Sequence, residues 1–170
     1  MSDTTLVHRV YIKATADAIW TAITDPEWTV KYGYTGRSHY DLQPGGRFES
    51  TPTDEFRAEV LAAGYPCPDV IADGEVIKAD PPHLLVQSWR LTMDPGIMDE
   101  GARTLTYEIK ALDEGYCSLT VTHELEGAPL TFALVSGANE ENGEGGGGGW
   151  AWVLDDLKSL LETGTTLAGK

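Results

Sequence analysis

The sequence predicts an α+β fold in which a seven-stranded antiparallel sheet wraps one long C-terminal helix. Period-two polarity recurs along the chain, most clearly over Thr104–Ile109 and Tyr116–Leu125, and this is the signature of half-buried strands. A glycine run then leads into an apolar stripe of helical spacing over Trp150–Glu162. The turns between the strands are mostly short, which favours antiparallel neighbours because parallel pairs need long crossovers. A half-buried sheet closed by a single helix often encloses a pocket.

The elements follow in order. In Leu6–Ala14, His8, Val10 and Ile12 share one face while Arg9, Tyr11 and Lys13 share the other, which predicts a strand. Thr15 is a suitable N-cap for a helix with Asp17 in its first turn and Ile19, Trp20 and Ile23 as its buried stripe. Asp25-Pro26 restarts the chain as a second short helix, because proline suits the first helical position, where no N–H is needed. Ser38–Leu42 and Arg47–Ser50 read as a hairpin around Gln43-Pro44-Gly45-Gly46, whose proline-then-glycine order is type II turn chemistry.

Residues 51–72 are expected to form a mobile insertion covering a pocket mouth. Within it Asp54–Ala63 fits a short helix with Phe56, Val60 and Ala63 on one side and Gly64 as its stop. Glu75–Ala79 is a strand ended by Asp80-Pro81-Pro82. Leu84–Met93 is the next, with Leu85, Gln87, Trp89 and Leu91 on one face and Ser88 and Arg90 on the other. Asp94-Pro95-Gly96 and Asp113-Glu114-Gly115 read as turns. Leu105, Tyr107 and Ile109 alternate with Thr104, Thr106 and Glu108. Cys117, Leu119, Val121 and His123 alternate with Ser118, Thr120 and Thr122. On the closing helix, Trp150, Val153, Leu154, Leu157, Leu160 and Leu161 form one stripe, with Asp155, Asp156, Lys158 and Ser159 facing away and Gly164 as the residue that ends it. That helix would reach about 20 Å, enough to lie across a sheet.

Composition narrows the function classes. The chain has 170 residues, 41% of them hydrophobic, which fits one domain over 1–170 with a core spanning about 6–163. The net charge of −15 argues against nucleic acid and anionic membrane as partners, since both call for basic patches. Two cysteines, Cys67 and Cys117, make neither a disulfide framework nor a zinc site, and no metal or other cofactor is expected. The polar start and the lack of a long apolar run lead to the expectation of a cytoplasmic protein.

The order of one strand, two short helices, six strands and a long helix resembles the helix-grip fold of the START/Bet v 1-like (SRPBCC) superfamily. Within it, the sequence is similar to the branch named after the activator of Hsp90 ATPase (AHSA1-like). The resemblance rests on Ala18–Glu27, Pro44-Gly45-Gly46-Arg47-Phe48, Asp73-Gly74-Glu75-Val76 with Pro81-Pro82, and Leu84-Leu85-Val86 with Trp89. It continues through Leu119-Thr120-Val121-Thr122-His123 and Gly149-Trp150 with Leu154, Leu157, Leu161 and Glu162. The chain departs from the family pattern at Ala16, where proline is usual, and at Tyr32, where tryptophan is usual. The resemblance implies a cavity between sheet and final helix. Members bind lipids, hormones or polyketides, and a few are cyclases.

Candidate binding residues combine both lines of reasoning. Trp89 and Tyr107 point with apolar neighbours and are suited to stacking on a ligand, because pockets are mostly apolar with few placed polar groups. His123, on the apolar face of its strand, is either one hydrogen-bonding group in the pocket or a buried histidine satisfied by its neighbours. Val121 lies on the same face, Trp150 and Val153 would close the pocket from the helix, and Phe48 joins this set. The fold places Trp28 and Tyr32 near the rim. The run Gly145–Gly149 would weaken a helix by about 1 kcal/mol per glycine, so the missing side chains are expected to leave room for ligand at one end. Together with Gly143 it meets GxGxxG only trivially, with no strand before it.

No catalytic residue is assigned. GxSxG and HExxH are absent, and Glu124 and Glu126 lie on the opposite strand face from His123. The expected activity is therefore binding of a small apolar or aromatic molecule, as carrier, sensor or sequestering protein. The chain is also compatible with a homodimer. A chaperone-associated role and a cyclase or hydrolase acting on polyketide-like substrates are the alternatives.

Overall fold

The computed structural model describes residues 4–138 and 148–167. Strand β1 (Thr5–Ile12) leads into α1 (Ala16–Thr24) and α2 (Pro26–Thr29), then β2 (Arg37–Tyr40) and β3 (Arg47–Thr51). Helix α3 (Asp54–Ala62) precedes β4 (Ala72–Asp80) and β5 (Leu84–Leu91). Helix α4 (Pro95–Glu100), β6 (Arg103–Ala111), β7 (Cys117–Glu124), α5 (Pro129–Val135) and α6 (Gly149–Thr163) complete the order. The seven strands form one antiparallel sheet in the order β1-β7-β6-β5-β4-β3-β2. This is the mixed α+β helix-grip architecture expected.

Local chemistry sets the element ends. The Thr15 hydroxyl accepts from Ala18 N at 3.1 Å, and the Asp25 carboxylate accepts from Glu27 N at 2.9 Å, so each short helix carries its own N-cap. Gly46 N donates to Gln43 O at 2.7 Å while Gly45 adopts φ +85°, which only glycine tolerates freely, and the β2–β3 turn is type II. In α3, Thr53 caps through Phe56 N at 3.1 Å. Gly164 ends α6 with its N–H on Leu160 O at 2.9 Å.

Three expectations are corrected. Asp94-Pro95-Gly96 is not a plain turn. Asp94 accepts from Gly96 N and Ile97 N and so caps α4, with proline in its first turn. Helix α5 also arises in a stretch assigned no element, with Pro129 at its start. Its N-terminus is capped from a distance, because the Glu100 carboxylate accepts from Leu130 N, Thr131 N and the Thr131 hydroxyl. Asp156 does not face away. It is buried, and its two carboxylate oxygens accept from Gly33 N and Leu167 N, both at 2.8 Å. It thereby ties the segment after α2 and the C-terminal segment onto α6.

The packed core lies where α1 and most of α6 meet β1, β7 and β6. Ile12, Ile19, Leu119, Leu125 and Leu157 are all essentially inaccessible. Among the described residues, no helix is long and apolar enough to cross a membrane.

Candidate functional site

Beyond that core the interior opens into a cavity of about 340 Å³. The inner face of β2 to β6 walls it, together with the ends of α1 and α2, the segment between α2 and β2, Phe56 of α3, the end of α5 and the start of α6. Strand alternation brings the walls together. On β5, Leu85 is inaccessible in the core, and Trp89 and Leu91, four and six positions on, share its face and reach the cavity. On β6, Tyr107 stands between Leu85 and Val121 in the cross-strand row. Tyr40 and Phe48 pair across β2 and β3, with ring centroids 4.8 Å apart.

Trp89, Tyr107, Trp150, Val153, Phe48 and Tyr32 lie on the wall. Val121, His123 and Trp28 do not. Val121 is covered on its row by His8 and Tyr107 and has no accessible surface. Trp28 sits on α2 with the Lys31 ammonium 4.4 Å from its ring centre. His123 is inaccessible and lies behind the wall. Trp89 meets it edge-on at 5.6 Å and Trp150 at 6.0 Å, and Trp150 in turn meets Tyr107 at 6.1 Å.

Trp150 Nε1 donates to His123 Nδ1 at 3.2 Å. An indole N–H can only donate, so Nδ1 is unprotonated and the neutral ring carries its proton on Nε2. Nε2 has no partner among the described residues. Burial lowers the His123 pKa to about 4 and keeps the ring neutral. His123 therefore orients the Trp150 indole rather than forming the wall itself.

The wall carries hydroxyls but no charged side chain. Tyr32 donates to Ala22 O at 2.8 Å, and Tyr40 donates to Gln87 Oε1 at 2.7 Å. Burial raises the pKa values of Tyr32, Tyr40 and Tyr107, and Tyr107 adds to the effect on the other two, so all three phenols remain neutral. Gly149 opens α6 at φ +63°, and a Cβ there would stand 2.2 Å from Val135 O. Only glycine lets the start of α6 abut the end of α5. Gly149 borders the cavity, while Gly145–Gly147 lie outside the described residues.

Several wall residues escaped the sequence reading. Leu91 was legible, sharing the alternating face with Trp89. Ile71, Leu134 and Val135 were not, because they reach the cavity through elements or bends without a strong pattern. Among the described residues, no group of three or more histidine, cysteine or acidic side chains could hold a metal ion.

The sequence model described as activator of Hsp90 ATPase homolog 1-like protein matches residues 13–162. No curated protein matches the sequence. Among solved structures, protein MLL2253 from Mesorhizobium loti superposes with a TM-score of 0.63 at 19% identity, over 92% of this chain and 96% of that one. The Aha1 dimer from Colwellia psychrerythraea gives 0.61 at 18% identity, over 94% of this chain and 97% of that one. DynU16, from the dynemicin biosynthetic locus, gives 0.60 at 16% identity, over 99% of this chain and 51% of the other. At such identities the structural likeness establishes a common fold. The family assignment comes from the sequence match, which spans most of the chain: this protein belongs to the activator of Hsp90 ATPase homolog 1-like family.

Proposed function

We propose that the protein binds a small, largely apolar or aromatic molecule in this cavity and acts as a carrier, sensor or sequestering module. One observation carries the reading: about 340 Å³ of interior walled by aromatic and aliphatic side chains, with a few hydroxyls and no charge. That is the usual make-up of a small-molecule site. Trp89, Tyr107 and Trp150 supply flat faces for stacking, and Val153 closes the helix side. The 51–72 insertion covers the cavity through Phe56, which lies on its wall. Val121, His123 and Trp28 act from behind or beside the wall, with His123 holding Trp150.

Native mass spectrometry of the protein purified from its own host, beside a denatured control, tests this. The expected result is a stoichiometric mass released on denaturation. A clean unliganded mass, together with no binding of any neutral aromatic probe, overturns the proposal.

The family's name favours a second reading, association with an Hsp90-type chaperone, and the neighbour named Aha1 carries the same fold. Co-purification with the host's Hsp90-type ATPase would support it. A homodimer is part of the same question, since that neighbour is described as a dimer.

A further inference from the structure

Tyr107 differs from Tyr32 and Tyr40, two other phenols on the cavity wall. Tyr32 and Tyr40 each spend their hydroxyl proton on a protein acceptor, Ala22 O and Gln87 Oε1. The Gln87 side chain is also engaged, its Nε2 donating to Ser88 O at 3.3 Å. Tyr107 has no hydrogen-bond partner among the described residues, and its ring is held edge-on against Trp150 at 6.1 Å. Tyr107 is half-buried on the cavity wall and its oxygen keeps accessible surface, so its O–H is open to an acceptor within the cavity. The other wall hydroxyls stand on β2, β3 and the segment joining α2 to β2: Thr29 donates to Pro26 O and accepts from Ser38 N, Tyr34 accepts from Gly149 N, Thr35 lies in that segment, Ser50 lies beside Gly36, and Ser38 faces Ser50 in the β2–β3 register.

We propose that Tyr107 sets the ligand class of this cavity by donating its O–H to a neutral acceptor, such as a ketone or quinone oxygen, on an aromatic ring system stacked against Trp89 and Trp150. This deepens the binding function proposed above and rests on it. The uncharged wall excludes the other common acceptor, a carboxylate, because no cation lines the cavity to offset its desolvation. The net charge of −15 opposes an anion further.

The test is a probe series of one size: 2-ethylnaphthalene, 2-acetonaphthone and 2-naphthoate, titrated against the protein and Tyr107→Phe with tryptophan fluorescence as readout. The ketone should bind the native protein roughly five- to tenfold more tightly than the hydrocarbon, the yield expected of one neutral hydrogen bond. Naphthoate should bind most weakly. Tyr107→Phe should remove the ketone's advantage and leave hydrocarbon affinity unchanged, a split that general loss of packing would not produce. Equal ketone and hydrocarbon affinity in the native protein overturns the assignment of Tyr107 while the binding function stands. So does a ketone preference that survives Tyr107→Phe, or tightest binding of naphthoate. Failure of all three neutral and anionic probes to bind overturns the binding function with it.

Discussion

The two sides of the sheet are built from one continuous ladder but filled differently. Toward β1 and β7, aliphatic side chains from the strands meet Ile19 of α1 and Leu154, Leu157 and Leu160 of α6, and the interior is solid. Toward β2 to β5, rings and hydroxyls stand among the aliphatic side chains, and only the start of α6 reaches across. One helix therefore serves both sides: its first turn borders an opening, and the turns after it seal a core. Branched aliphatics interdigitate to crystal-like density, whereas rigid rings fixed edge-on leave space between them. The difference teaches that the cavity is a consequence of side-chain choice along α6 and β5, not of a gap in the ladder.

Substitutions should separate the two sides. The largest effect is expected at Leu157, which is 1% exposed. Leu157→Ala should cost about 2–5 kcal/mol in urea unfolding, as a buried cavity is created. A cost under 1 kcal/mol would show that the β1–β7 side is less solid than described.

Acid should act on the boundary between the sides. The His123 pKa is lowered from 6.5 to about 4, so the unfolded chain binds the proton first. Stability is then complete above pH 6.5 and falls as pH drops from 6.5 toward 4, by roughly 3 kcal/mol in total. Glu100 and Glu162 have pKa values lowered from 4.5, Glu162 chiefly through the Lys158 hydrogen bond, so their contributions are lost only below that pH. His123→Phe should flatten the urea midpoint between pH 6.5 and 4.5, and an unchanged slope would place the titration elsewhere.

Asp156 links the cavity-side segment to the core-side helix. Asp156→Ala strands the Gly33 and Leu167 amides and should cost about 2–3 kcal/mol, with faster hydrogen exchange confined to those two segments. Uniform loosening of the whole chain would contradict that local role. The smallest effect belongs to the partly exposed pair of Arg90 and Asp73, joined by two hydrogen bonds of 3.0 and 2.8 Å on the outer face. Asp73→Ala should cost about 1 kcal/mol or less and leave ligand affinity untouched.

The sheet and α6 were legible in the sequence because each carries a sustained period. Leu85-Gln87-Trp89-Leu91 alternates cleanly, and the stripe from Trp150 to Leu161 repeats at helical spacing. Helices α4 and α5 were not, because six and seven residues are too few for a period. The Asp94-Pro95-Gly96 motif also serves a turn and a helix start equally well. At the site, the wall positions of Trp89 and Tyr107 follow from that alternation and the wall position of Trp150 from the helical stripe. The withdrawal of His123 behind the wall does not, since it depends on where the Trp150 indole reaches from another element. Asp156 was misread for the same reason: its partners lie 123 and 11 residues away in sequence, and no local pattern announces them.

The central claim is that the β2–β5 side holds a usable cavity. Titration with the neutral probe N-phenyl-1-naphthylamine, for the native protein and for Leu91→Trp, tests it most directly. Leu91 lies on the wall and is half-buried, so an indole there occupies the opening without touching the solid core. The account predicts saturable binding at one probe per chain in the native protein, and loss of that binding in Leu91→Trp at an unfolding midpoint within about 1 kcal/mol of the native one. Equal probe binding by both proteins, or none by the native protein, would contradict it.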